Sequence, residues 1–289
     1  MIEKILKAKP LTKEKYKELK TEISQLGEPL VMKVIRLGED PASAFYVQNI
    51  LNQGKKLGVD VDLITLSGNT SQHDLVKLIE DFNNDDSVAG IMLQKPLPQH
   101  INETKINSLI KATKDVDGFH PENLGKLLLE QEGLFPCTAT ACLTMMEYYG
   151  IETSGKNIVI IGRSAIVGKP LANMLLRKDK TGNATVTVCH SRTKNIKDIT
   201  KKADILIAAI GKANFVTQDF INNDCVVIDV GINEIIDTEG KASYVGDVDY
   251  HNVLDNVLAI TPVPGGIGSV TTYELFKNLL KAKKIAKNK

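Results

Sequence analysis

The sequence has no apolar run long enough to cross a bilayer; its longest, such as Ile205–Ile210, have the length of buried strands. It has no excess charge of either sign. Lys and Arg number 36 against 35 Asp and Glu, for a net charge of +1 and an isoelectric point near 7.6. That balance gives no electrostatic reason to expect nucleic acid or a membrane surface as partner. Cysteine is scarce: Cys137, Cys142, Cys189 and Cys225, none in CxxC spacing. Neither a disulfide framework nor a thiolate metal site fits, so reduced, mostly buried thiols of a cytoplasmic protein are expected, and no metal. Glu3 and Glu14 stand among the N-terminal lysines with no apolar core. Neither a secretory nor a transit peptide is therefore expected. Internal repeats, low-complexity tracts and the GxGxxG fingerprint are missing too.

What is there is ordinary globular material: 289 residues, 43% apolar and 25% charged. A chain of this length buries roughly three-quarters of its unfolded surface and is long enough for two domains. Strand-like runs at Leu30–Leu37, Val59–Leu66 and Val88–Leu93 alternate with helical patterns at Thr12–Leu26, Pro41–Leu57 and Ser71–Phe82. Apolar strands separated by helices of that length predict parallel βαβ units covered on both faces. The second half repeats the alternation. Strands are predicted at Asn157–Ile161, Thr185–Val188, Ile205–Ala208, Val226–Val230 and near Val257–Thr261, with helices at Gly168–Arg177 and Asn195–Lys202. The helix Thr138–Tyr149 reads as the hinge, and a last helix from about Val270 has no strand after it, so it is expected to return to the first domain. Its lysines, from Lys277 onward, read as a solvated face.

The strongest local signal is the segment from Lys156 to Pro170, in which a buried strand runs into Gly162-Arg163-Ser164 and a helix opens near Gly168. Backbone N–H groups and a helix N-terminus arranged in this way hold a pyrophosphate. Gly162 permits the tight turn, and Gly168 lets helix and strand approach closely. Arg163 and Ser164 stand where a guanidinium and a hydroxyl reach phosphate. A plain αβ turn gives a strand followed by glycine just as well; the context decides between them. The next strand ends at Cys189-His190-Ser191-Arg192, where a Rossmann-type domain meets the adenosine ribose. Ser191 and Arg192 suit a 2′-phosphate, so NADP is favoured, with NAD the alternative and a solvated loop charge the bland reading of Arg192. His190 is read as structural.

With these residues assembled, the chain resembles the methylenetetrahydrofolate dehydrogenase/cyclohydrolase family over nearly its whole length. Gly-Arg-Ser-x-x-Val-Gly-x-Pro stands at 162–170, and Gly-x-x-x-Gln-x-Pro-Leu-Pro at 90–98. Lys-Asp-Val-Asp-Gly-Phe lies at 114–119, and Thr-Pro-Val-Pro-Gly-Gly-Ile-Gly at 261–268. The resemblance implies an α/β chain of two domains with a cleft between them. A folate-binding catalytic domain would take residues 1–137 plus 270–289, and an NAD(P)-binding Rossmann-like domain residues 138–269. It also implies that Tyr46 packs on the folate ring and that Asp117 anchors the pterin. Ser43, Gln94 and the Pro264-Gly265-Gly266 loop would complete the substrate side. Ile232, after Gly231, would lie against the cofactor. Tetrahydrofolate one-carbon derivatives are the implied substrates, and a homodimer the implied assembly.

The family pattern after the tyrosine is Tyr-Val-x-x-Lys, and its lysine is held to be central to the cyclohydrolase reaction. Here the segment is Tyr46-Val47-Gln48-Asn49-Ile50. Positions 46 and 50 share a helix face, whereas Lys55 and Lys56 lie five and six residues beyond Ile50 and point elsewhere. The expectation is a dehydrogenase with hydrolysis lost or weak. The alternatives are a complete bifunctional enzyme in which Asn49, Gln53 or Lys95 substitutes through water, and a non-catalytic dinucleotide-binding regulator. Milder departures are Ala139 in Pro136-Cys137-Thr138-Ala139, Ser269-Val270 after Gly268, and Lys95 after Gln94, read as solvent-facing.

Overall fold

The computed structural model describes residues 2–287 except 39, 40, 237–239 and 241, and the side chains of residues 41–45 also lie outside the described residues. The chain divides into two compact units, Glu14–Cys137 with Thr272–Lys289, and Met1–Lys13 with Thr138–Thr271. In chain order the first half forms α1 (Ala8–Ser24), β1 (Val31–Leu37), α2 (Pro41–Leu57), β2 (Asp60–Leu66), α3 (Gln72–Asn84), β3 (Val88–Leu93), α4 (Glu103–Asn107), α5 (Pro121–Leu128) and α6 (Cys137–Tyr148). The three strands make a parallel sheet in the order β2-β1-β3, as the apolar strands between helices predict. All of β3 is buried. Ile35 and Leu37 of β1 and Ile91 and Leu93 of β3 pack with Leu75 and Ile79 of α3 and with Ile106. Ser71 caps α3 by accepting from the Asp74 N–H at 3.1 Å.

The second half forms β4 (Asn157–Ile161), α7 (Gly168–Leu176), β5 (Thr185–Cys189), α8 (Ile196–Thr200), β6 (Ile205–Ala208), β7 (Val226–Asp229), β8 (Asn233–Ile236), β9 (Ala242–Val245), α9 (Tyr250–Val253), β10 (Ala259–Ile260) and α10 (Ile267–Lys287). Five of the strands make a second parallel sheet, ordered β10-β7-β6-β4-β5. The chain runs outward from β4 to β5 and then back to β6. The carboxyl ends of β4 and β6 therefore flank a topological switch point, where open α/β sheets bind ligands.

Some elements differ from their predicted extents. The first helix starts at Ala8 rather than Thr12, with Pro10 in its first turn, where a missing N–H costs nothing. The short helices α4 and α5 and the antiparallel pair β8–β9 have no counterpart among the predicted elements. The first residues cluster with the five-stranded sheet through backbone pairing. Ile5 bridges Ile260, Leu6 N–H donates to Ile260 O at 2.9 Å, and Ala8 N–H to Gly265 O at 2.8 Å. In the three-stranded unit, the α10 lysines are tied rather than free. Lys283 and Lys287 meet Glu28, Lys284 meets Glu22 and Lys281 meets Glu132. The four cysteines are free and buried. No helix among the described residues is long and apolar enough to cross a membrane.

Candidate active site

In the three-stranded unit the chemistry-bearing residues gather at the carboxyl end of β3. Gln94 follows that strand, its N–H donating to Ile35 O at 2.8 Å. Its Nε2 donates to Lys95 O at 2.7 Å, and its Oε1 is buried with no hydrogen-bond partner among the described residues. A buried carbonyl oxygen in that state is an acceptor that a bound donor could satisfy. The segment carrying Asp117 lies beside β3: Ile91 bridges Asp115 in parallel, and a Cβ on Gly90 would stand 2.3 Å from Val116 Cγ1. The Asp117 loop thereby leaves the sheet beside β3.

Asp115 fastens the loop. Its Oδ2 accepts from the His120 N–H at 2.7 Å and from Asn123 Nδ2 at 3.1 Å. Gly118 turns the chain at φ +78°, so close to Phe135 that a Cβ would meet its carbonyl carbon at 2.3 Å. Asn278 of α10 holds the other side, donating to Val116 O and Phe135 O at 2.9 Å each. Asp117 sits in this frame with its carboxyl pushed up to about 7. Burial is the larger cause and the Asp115 charge adds to it, while Lys95 pulls the other way.

Tyr46 of α2 is partly buried, and its hydroxyl is hydrogen-bonded to Thr272. The same Thr272 hydroxyl accepts from Asn49 Nδ2 at 3.1 Å. Burial, and secondarily the Asp117 charge, hold the Tyr46 phenol well above its ordinary value, so it stays protonated. Ile50, one helical turn on, is 0% exposed and belongs to the core. The side chain of Ser43 lies outside the described residues. Lys95 is not solvent-facing as the sequence reading had it. Its Nζ lies 2.5 Å from Glu103 Oε1 and 4.2 Å from the centroid of the Phe119 ring.

The five-stranded unit carries the remaining predicted residues at its strand ends. Gly162 leaves β4 at φ +134°, and a Cβ there would fall 2.1 Å from Ala209 O, just past β6. Only glycine fits that crossing at the switch point. A Cβ on Gly168 would meet Gly162 O at 2.1 Å, so the loop folds tightly onto the start of α7. Ser164 Oγ accepts from the Val167 N–H at 3.1 Å, and no side chain caps α7. Arg163 and Ser164 are exposed beside that helix end. Ser191 and Arg192 are exposed past β5, in a turn closed by the Arg192 N–H on His190 Nδ1 at 3.1 Å. His190 thus has the structural role expected of it. A glycine cradle at an uncapped helix start, with basic and hydroxyl groups around it, fits a dinucleotide pyrophosphate and a phosphorylated ribose.

Two buried carboxylates that sequence reasoning passed over complete this edge. Asp229, the last residue of β7, accepts from the N–H groups of Gly231, Asp247 and Val248 at 2.9–3.0 Å. Asp247 accepts from three consecutive N–H groups, Ile210, Gly211 and Lys212, at 2.7–2.9 Å, and from Asn233 Nδ2 at 3.0 Å. Ile232 therefore stands between two fastened neighbours and is 66% exposed. The signal for these acids was a single Asp closing an apolar strand and another after Gly246. The Pro264-Gly265-Gly266 loop belongs to this unit. Gly265 takes φ +100°, and a Cβ on Gly266 would meet Pro262 O at 2.4 Å.

Comparison with known proteins accounts for both halves of the chain. Residues 6–117 match the tetrahydrofolate dehydrogenase/cyclohydrolase catalytic domain, and residues 136–287 match the NAD(P)-binding domain of the same family. The bifunctional protein FolD of Chlorobium chlorochromatii is 49% identical over 277 residues, covering 92% of this chain and 94% of that protein. The crystal structure of the bifunctional enzyme FolD from Campylobacter jejuni, at 40% identity, superposes with a TM-score of 0.91 over 98% of this chain and 99% of that one. The Trypanosoma brucei enzyme, solved with NADP cofactor and inhibitor, is 32% identical with a TM-score of 0.92, over 99% of this chain and 98% of that one. With both halves matched and near-complete coverage of its relatives, the chain belongs to the tetrahydrofolate dehydrogenase/cyclohydrolase family.

Proposed function

We propose that the chain is an NADP-dependent 5,10-methylenetetrahydrofolate dehydrogenase whose methenyltetrahydrofolate cyclohydrolase activity is lost or weak. The observation that carries the second half is Ile50, fully buried at the position where the family resemblance calls for lysine. A bound dinucleotide supplies one thing to the reaction, a carbon that accepts hydride. The methylene bridge is oxidised as a folate nitrogen lone pair forms the amidinium, so the protein's main task is alignment. Asp117 takes the pterin amino edge, Tyr46 and Gln94 bound the ring, and Ile232 is the apolar contact for the cofactor. Hydrolysis of the methenyl bridge asks for more, because water must be activated and protons moved. That help is worth roughly 10²–10⁴ in rate, and an isoleucine gives none of it.

NADP is favoured by Ser191 and Arg192, exposed at the end of β5 with no carboxylate between them to prefer a free 2′-hydroxyl. The T. brucei relative bound to NADP points the same way. The homodimer, the cytoplasmic location and the assignment of the folate site to the three-stranded unit belong to the same proposal. The second reading, full bifunctionality, is favoured by the relatives' naming as bifunctional proteins. It needs a substitute for the lysine: of the candidates, Asn49 is engaged with Thr272 and Lys95 with Glu103, which leaves Gln53.

Paired assays of the two half-reactions, with each cofactor, test the proposal. The wild-type chain is expected to reduce NADP with methylenetetrahydrofolate and to hydrolyse methenyltetrahydrofolate at near the uncatalysed rate. Ile50→Lys is expected to raise hydrolysis by about 10² or more. Wild-type hydrolysis as fast as hydride transfer, unchanged in Ile50→Lys, refutes the loss.

A further inference from the structure

Lys95 departs from what an exposed loop lysine does. Its side chain is only 19% exposed, and both ends of its reach are occupied, by Glu103 in the first turn of α4 and by the face of Phe119. Phe119 lies two residues beyond Asp117, in the loop that Asp115 fastens. An ammonium held between an acid on one element and an aromatic face on another has lost most of its rotamer freedom. It stays close to the Asp117 loop.

The groups that face Asp117 are few in kind. Asp115, on the same loop, is negative and works against its ionisation. Tyr46 on α2 and Cys137 at the start of α6 are both held protonated by burial, with the Asp117 charge adding to the effect. Lys95, in the loop after β3, is the group that favours the charged carboxylate. We propose that Lys95 is a positioning residue of the folate site, its ammonium clamped by Glu103 and Phe119 beside the Asp117 loop so that it favours the anionic carboxylate an amino-pterin edge requires. The proposal rests on the reading of Asp117 as the pterin anchor.

The test uses the full chain in four forms: wild type, Lys95→Met, Lys95→Arg and Asp117→Asn. KM and kcat for methylenetetrahydrofolate are followed against pH, and the Asp117 carboxyl is titrated by ¹³C NMR in the ligand-free protein. Removing the ammonium is expected to move the Asp117 midpoint upward by about one pH unit. At pH 7 the charged fraction then falls from about half to about a tenth, raising KM about fivefold with little change in kcat. Lys95→Arg, which keeps the charge, restores both readouts. If Lys95→Met and wild type titrate together by ¹³C while Asp117→Asn still raises KM, Lys95 is structural only and the inference is overturned. If Asp117→Asn leaves KM unchanged, the anchor reading fails, while the ¹³C shift alone still decides whether Lys95 governs Asp117.

Discussion

As the proposed pterin anchor, Asp117 would be required as an anion in a place that resists charge, and this conflict has two measurable faces. Its carboxyl is pushed up to about 7, chiefly by burial. Because the folded value lies above the unfolded one, the native chain holds more protons than the unfolded chain between about pH 4 and 7. The contribution to stability is full at the acid end and is lost as pH rises through 7. Folate affinity runs the opposite way, since the anchoring form appears only as that proton leaves. KM for folate is therefore expected to fall between pH 6 and 8 in the wild type and to lose that trend in Asp117→Asn. The variant's ligand-free form should gain about 1–2 kcal/mol at pH 8, after discounting for the carboxyl's partial exposure. A Tm for Asp117→Asn at or below wild type at pH 8 defeats the stability half. Tyr46, Gln94 and Asp117 stand out in the sequence because they sit in ordered motifs. Lys95 was not, since its partners Glu103 and Phe119 are 8 and 24 residues away along the chain. Thr272 was hidden likewise, its partner Asn49 lying 223 positions away. Pattern reads what recurs along a chain, and these pairings exist only after folding.

Among elements, the plainest strands in the sequence are those whose burial is continuous: β3, β6 and β7 are buried at every residue, and a run of apolar side chains says so directly, while β2 and β5 are read from shorter apolar runs although they are partly exposed. The β8–β9 ribbon escaped because its residues are exposed or only partly buried and alternate no clear face. α5 escaped because its marks are brief: His120 as cap and Pro121 in the first turn of an eight-residue helix. What holds the cofactor edge together is less visible still, one carboxylate gathering three successive N–H groups from the loop after β6. Asp247→Ala would leave those N–H groups and the Asn233 amide without their acceptor, at about 1–3 kcal/mol for each group that water cannot reach. Ile232 would lose one fixed neighbour, Asn233, while Gly231 stays on Asp229. The expected result is a KM for NADP raised about tenfold or more, a lowered Tm and a folate KM within about twofold of wild type. An equal rise in both KM values would mean that Asp247 supports the whole molecule rather than this edge.

At the scale of the molecule, the chain makes two compact units from four stretches of sequence; the breaks near Thr138 and Thr272 are close to those the element pattern marks, and the first thirteen residues are the stretch it does not place. Residues 1–13 cluster with Thr138–Thr271, through the pairing of Ile5 with Ile260. That contact spans almost the whole chain, and no local pattern encodes it. The α10 residues from Thr272 cluster with Glu14–Cys137, through Asn278 and the lysine pairs to Glu22 and Glu28. Most residues proposed for folate lie in the three-stranded unit and those proposed for the dinucleotide in the five-stranded unit, with the Pro264-Gly265-Gly266 loop the exception, so each proposed ligand should leave its main imprint on one unit. A ligand that binds only the native form stabilises by about 2.7 kcal/mol at a hundred times its dissociation constant, and local openings of the segments it touches are suppressed with it. Hydrogen exchange on the ligand-free chain, with NADP alone and with a folate analogue alone, separates these contributions. NADP is expected to slow exchange first at 162–171, 190–193 and 230–233, where its cradle, ribose turn and apolar contact lie. The folate analogue should slow 46–50, 94–95 and 115–120, and leave the Gly162 loop at its ligand-free rate. Protection by NADP that is strongest at 115–120, or by the folate analogue at 162–171, would reverse the assignment of the two sites. Protection by neither would remove the case for a dehydrogenase, whatever the fate of hydrolysis at Ile50.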